Sequence, residues 1–129
     1  MSEAQPNPTG SISWMDLTVP DAAQVREFYS QVVGWKSEAL SMGDYDDYCM
    51  ATPEEGKTVA GVCHARGANA NIPPQWMIYI TVADLDASVA RCRDLGGEIV
   101  VGPKDQGGQG RYCIIKDPAG AVCGLYQTV

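Results

Sequence analysis

Residues 14–34, WMDLTVPDAAQVREFYSQVVG, and residues 77–97, MIYITVADLDASVARCRDLGG, can be laid over one another without a gap at an offset of 63 residues. Thr18 falls on Thr81, Val19 on Val82, Asp21 on Asp84 and Gly34 on Gly97. Identities this few persuade only because three structural signals coincide with them. In each copy an alternating run reads as a strand: Met15, Leu17 and Val19 against Trp14, Asp16 and Thr18, then Ile78, Ile80 and Val82 against Met77, Tyr79 and Thr81. In each copy an aspartate, Asp21 or Asp84, stands where a helix N-cap belongs. In each copy glycine follows the helical pattern, Gly34 in the first and Gly96-Gly97 in the second.

Working outward, the helices carry Ala22, Val25, Phe28, Tyr29 and Val32, and Leu85, Val89, Cys92 and Leu95, at helical spacing. Three strand-like runs follow each helix: 35–40, 45–51 and 58–64, then 98–101, 111–116 and 121–127. The sequence Asp117-Pro118-Ala119-Gly120 has the residues of a type I turn between the last two. The expected organisation is a flexible leader over 1–10 and one domain over 11–129. It comprises module one (11–65), a connector (66–75) and module two (76–127). The fold class is α+β, two tandem βαβββ modules forming a curved mixed sheet with a concave cleft. One helix per module cannot cover both faces of its sheet, so the helices pack on one face. Trp14, Asp16 and Thr18 and Met77, Tyr79 and Thr81 then lie on the other, a mixed aromatic and polar surface suited to a ligand.

Composition narrows the functional classes. The chain has 129 residues, 45% apolar and 19% charged, which is ordinary for a globular domain. Nine Lys and Arg against sixteen Asp and Glu give a net charge of −7, with no basic surplus for nucleic acid or an anionic membrane. No export signal and no membrane-length apolar run is seen, so the expected location is cytoplasmic. The five cysteines, 49, 63, 92, 113 and 123, form no CxxC pair and read as reduced thiols.

The strand-helix segment beginning at Trp14, its second copy beginning at Met77, and the closing RYCIIKDPAGAVCGLY (111–126) resemble the vicinal-oxygen-chelate superfamily of glyoxalase I, extradiol dioxygenases and bleomycin-resistance proteins. The resemblance spans residues 11 to 127. Within it, Pro73-Pro74-Gln75-Trp76, opening the second copy, is similar to an element of small glyoxalase-like proteins. The resemblance implies that a metal enzyme would place ligands at Trp14, Met77, Gly124 and a position at or near Gly61 or Cys63. Indole nitrogen only donates, and a thioether suits soft metals. The expectation is therefore no cofactor, no metal ligands, and no glyoxalase I chemistry of the usual kind.

The expected function is binding of a small organic molecule in an aromatic-lined cleft, with Trp14, Tyr48, Met77, Tyr79, Cys113, Gly124 and Tyr126 as ligand contacts. The alternative is a glyoxalase-like lyase or isomerase, in which Asp16 is a base or joins His64, the only histidine, in a rearranged metal site. The resemblance also implies a homodimer. Gly107 to Gly110 leads into a strand rather than a helix, so it reads as a loop and not a phosphate cradle.

Overall fold

The computed structural model describes residues 7–106 and 108–128. Within it the chain forms two compact units: one runs Trp14–Trp76, and the other takes in the residues from Met77 onward together with those before Trp14. Each contains the expected βαβββ order.

Module one has β1 (Ile12–Val19), α1 (Ala22–Val33), β2 (Lys36–Ser41), β3 (Asp46–Ala51) and β4 (Thr58–His64). Its strands lie in the order β2-β3-β4-β1. β1 runs parallel to β4, and the other neighbours are antiparallel. The Asp21 carboxylate accepts from Gln24 N at 3.1 Å, opening α1, and Gly34 closes it at φ 79°. The core is Leu17, Val19, Ala22, Met50 and Val62, with Val25, Tyr29, Trp35, Tyr48 and Trp76 against it. The whole expected helix stripe is not buried: Phe28 and Val32 are 55% and 61% exposed. Each residue turns a helix by about 100°, so Ala22, Val25 and Tyr29 take the sheet-facing arc and leave Phe28 and Val32 beside it.

Module two has β5 (Trp76–Thr81), α2 (Leu85–Asp94), β6 (Glu98–Asp105), β7 (Gly110–Lys116) and β8 (Val122–Thr128). Its order is β5-β8-β7-β6, with β5 parallel to β8. Asp84 caps α2 through Ala87 N at 3.1 Å, and Gln127 Oε1 accepts from Leu85 N at 2.6 Å. Leu85, Val89, Cys113 and Leu125 form the core, with Ile80, Val82, Ile99 and Ile115 packed on it. β6 is longer than the apolar run suggested, because it continues past Val101 through irregular register and Pro103. The turn before β8 is built as expected: Asp117 Oδ1 accepts from Ala119 N and Ala121 N, and Gly120 N donates to Asp117 O.

The leader expected over 1–10 is held at its end, since Gly10 N donates to Thr81 O and Thr81 N to Ser11 O. Residues 1–6 of that expectation lie outside the described residues, as does Gly107 of the glycine-rich loop. No helix among the described residues is long and apolar enough to cross a membrane.

Candidate functional site

In module one, register decides which side chains share a face. Asp16 on β1 lies beside Gly61 on β4, Gly61 beside Cys49 on β3, and Cys49 beside Glu38 on β2. Directly opposed residues point the same way. Asp16, Cys49 and Glu38 therefore form a row on the side away from α1. The next row on this helix-free face holds Thr18 and Cys63, since these two are register partners. Trp14, two residues before Asp16, shares the face, and its Nε1–H donates to Asp16 Oδ1 at 2.5 Å.

Gly61 makes this pair possible. A Cβ there would strike Asp16 Oδ1 and approach the Trp14 ring to 3.6 Å. No positive φ is required, so space rather than backbone conformation selects glycine. Burial pushes the Cys63 thiol far up, and the nearby Asp16 and Asp47 carboxylates push it further. Burial likewise raises Cys49, helped by Glu38 and Asp16. Both thiols keep their protons at neutral pH and are poor nucleophiles there.

The helix-free face of module two follows the same plan with a different filling. Tyr79 on β5 lies beside Gly124 on β8, and a Cβ at Gly124 would run into the Tyr79 ring. Met77, two residues earlier, is fully buried. Tyr126 also faces this side, but its hydroxyl donates to Gln109 O at 2.7 Å and holds the loop before β7. Gly110 must be glycine for this tie, because a Cβ would crowd Tyr126 and Gln127 O at a φ of 147°.

Three expected site residues stand elsewhere. Tyr48 packs in the helix-side core of module one with the Arg26 guanidinium 4.8 Å over its ring. His64 alternates with Cys63 and stands with Tyr45 and Tyr48, at ring distances of 5.5 and 6.5 Å. Its Nδ1 is 2.9 Å from Asp46 O, and its backbone N–H donates to Asp47 Oδ1. Its Nδ1 also lies 3.6 Å from Asp47 Oδ1, so its printed neighbours are residues 45 to 48. Cys113 is fully buried in the core under α2, its thiol pushed up to about 11 chiefly by burial.

The reading from sequence missed Asp47, Cys49 and Cys63 as neighbours of Asp16, and left the fourth ligand-equivalent position between Gly61 and Cys63. Register selects Gly61: it lies beside Asp16 as Gly124 lies beside Tyr79, each pair one 63-residue period apart. That period was the available signal. The four positions a metal enzyme would use are thus Trp14, Met77, Gly61 and Gly124, which offer no oxygen, imidazole or thiolate. Among the described residues no group of three or more His, Cys, Asp or Glu could hold a metal ion. These residues do not fit the metal of the metal-dependent members.

Residues 11–123 match the family model described as Glyoxalase/Bleomycin resistance protein/Dioxygenase superfamily. The candidate glyoxylase CFP32 of Mycobacterium tuberculosis is 36% identical over 121 residues, covering 92% of this chain and 46% of that protein. The anthracycline biosynthesis protein DnrV of Streptomyces peucetius is 31% identical over 130 residues, covering 92% and 47%. The chain thus spans about half the length of the curated relatives it matches. Among solved structures, methylmalonyl-CoA epimerase from Mycobacterium tuberculosis superposes with a TM-score of 0.55 at 19% identity, covering 89% of this chain and 85% of that one. A hypothetical protein from Bacillus halodurans C-125 gives 0.59 at 11% identity, covering 95% and 96%. At such identities the likeness is one of fold.

Proposed function

The chain belongs to the Glyoxalase/Bleomycin resistance protein/Dioxygenase superfamily, and we propose that it is a member that binds a small organic molecule without the superfamily's metal. One observation carries the reading: the Trp14–Asp16 pair set over Gly61. A carboxylate oriented by an indole N–H, on a half-buried face and beside a flat aromatic surface, gives a ligand one directional polar anchor and one apolar wall. Tyr79, laid over Gly124, supplies a second aromatic surface on module two. We place the protein in the cytoplasm as a homodimer, a state that the exposed apolar side chains of Phe28 and Val32 favour.

The test is a thermal-shift ligand screen run beside metal analysis. Ligands found with the wild type should lose their stabilisation in Asp16→Ala and Trp14→Ala. If both variants respond to every ligand as the wild type does, the site is elsewhere. About one transition metal per chain in protein purified untagged and without chelator would overturn the metal-free reading.

A second reading is favoured by the 36% identity to a protein named as a candidate glyoxylase. In it Asp16 acts as a general base in a metal-free isomerase or lyase. Turnover that disappears in Asp16→Asn while binding persists would select it over simple sequestration.

A further inference from the structure

Arg26 stands where the pattern of α1 calls for an apolar residue. Ala22, Val25 and Tyr29 take the sheet-facing arc of the helix, and Arg26 falls within the same arc. Its guanidinium lies over the Tyr48 ring, 4.8 Å from the centroid. Its Nη1 reaches Ser37 Oγ at 3.5 Å, the outer limit of a hydrogen bond. Its Nε is buried and has no hydrogen-bond partner. A buried donor without an acceptor is costly, and more so on a charged group. Arg111, the other arginine that is not exposed, faces both Asp86 and Asp105, at 3.1 and 3.5 Å.

The carboxylates around Arg26 are engaged elsewhere. Glu27 accepts from Gln31 Nε2 at 2.8 Å, Asp44 is 3.7 Å from Arg66, and Asp47 accepts from His64 N. Glu38 lies beside Cys49 on the helix-free face. Asp46, two residues before Tyr48 on the same face, stands roughly 7 Å along the strand. Among the described residues no carboxylate pairs with Arg26. The approach to it runs over β2, the outer strand of module one. Ala39 is the register partner of Tyr48, so β2 turns Ser37, Ala39 and Ser41 to the helix side. None is larger than serine, and Ala39 is exposed.

We infer that Arg26, Ser37 and Tyr48 form a second ligand site, on the helix side of module one, for the carboxylate of a small organic acid. The guanidinium donates to both carboxylate oxygens, Ser37 Oγ–H donates to one of them, and the body of the acid lies over Ala39 beside the Tyr48 ring. Turning toward β2 gives Nε the acceptor it lacks. One guanidinium supplies one positive charge and Asp46 shares the face, so a monoanion fits and a dianion leaves charge uncompensated. The site is on the opposite side of the sheet from the Trp14–Asp16 pair and does not depend on it.

The test titrates benzoate, benzamide and sulfate into the 15N-labelled protein at mildly acid pH, where benzoate is ionised. The readout is the Arg26 Nε–H resonance, assigned by its disappearance in Arg26→Lys. Benzoate should move it and bind at least about tenfold more tightly than neutral benzamide or dianionic sulfate, the size of one good charge-assisted pair. Arg26→Lys, which keeps the charge and loses the fork, should weaken benzoate by about tenfold, read on the neighbouring backbone amides. Arg26→Met without ligand should melt at or above the wild-type temperature, because it removes a charge that has no acceptor. A clear drop in melting temperature in Arg26→Met would mean that Arg26 serves the fold through Tyr48 and Ser37, and overturns the inference. So does equal binding of benzoate and benzamide, tighter binding of sulfate, or an Arg26 resonance that millimolar benzoate leaves in place.

Discussion

Module one and module two place a glycine at the same point, on the last strand directly beside the first, and cover it differently. Over Gly124 lies the Tyr79 ring; over Gly61 lies the Asp16 carboxylate, steadied by Trp14. An aromatic ring on a strand glycine restores the packing that the missing side chain gives up. A carboxylate restores little apolar contact and leaves a charge on a half-buried surface. The repeat therefore keeps the scaffold in both copies, with capped helix, parallel first and last strands and glycine platform, and varies the one position that the platform serves. The difference puts a carboxylate on the platform of module one and a ring on that of module two.

The largest effects should be the ones the modules share. Met50, on β3 in the core of module one, and Leu85, the first residue of α2 in the core of module two, are fully buried. Met50→Ala and Leu85→Ala should each cost about 2–5 kcal/mol in urea unfolding, the usual range for emptying such a site. A loss below about 1 kcal/mol for either would mean that its core is not packed as described.

The glycines should separate the modules. Gly124→Ala drives a methyl into the Tyr79 ring, which must swing off the sheet and lose its packing, at a cost of about 1–3 kcal/mol. Gly61→Ala meets the far end of a flexible carboxylate, so it should cost less than about 1 kcal/mol. Ligand binding should reverse the ranking, with Gly61→Ala breaking the Trp14–Asp16 arrangement and Gly124→Ala sparing it. Equal stability losses would remove the contrast on which the comparison rests.

The thiols give a pH-dependent contrast. Burial is the leading cause of elevation for both Cys63 and Cys113, but carboxylates add to it at Cys63, whereas Arg111 opposes it at Cys113. Above the ordinary thiol value near 9 the unfolded chain gives up its proton while the folded thiol keeps it. These groups therefore stabilise the fold fully below that pH, and the contribution of Cys113 is lost as the pH rises from there toward about 11. Stability should fall with alkali, with a shallower slope in Cys63→Ala and in Cys113→Ala. Added salt should accelerate native-state alkylation of Cys63 more than of Cys113, because salt screens carboxylates and not burial.

How much of this was legible in the sequence depended on local phase. The 63-residue period, both caps and the shared face of Trp14 and Asp16 could be read because β1 and β5 alternate or repeat clearly, and the same period, carried to the last strands, would have separated Gly61 from Cys63. Tyr48, His64 and Cys113 could not be placed for the opposite reason. β7, GRYCIIK, carries apolar or aromatic residues on both faces, so its pattern has no phase until its antiparallel partner β8 fixes it. His64 ends β4, where no following residue shows which side it takes, and its environment comes from residues 44–48, a segment dominated by aspartate and tyrosine. Asp47 joined the neighbourhood through the effect of its carboxylate on Cys63, which depends on the pairing of β3 with β4 and which spacing along one strand does not encode.

The smallest expected effect tests whether the scaffold is as evenly repeated as the comparison requires. Asp21 and Asp84 each accept a hydrogen bond from the third residue onward, at 3.1 Å in both modules. Removing such a cap exposes a backbone donor of the first turn and typically costs about 1 kcal/mol. The surroundings differ slightly: the first turn of α2 contains Asp86, which favours the helix N-terminus, whereas that of α1 has no acidic residue. With Asp86 still present in the Asp84→Ala variant, α2 should tolerate the loss a little better. Asp21→Ala should therefore be the costlier of the two by a few tenths of a kcal/mol. Matched denaturant melts of the single and double variants would show it. A reversed order, or a double variant far from the sum, would mean that the two helix starts are not independent copies of one device.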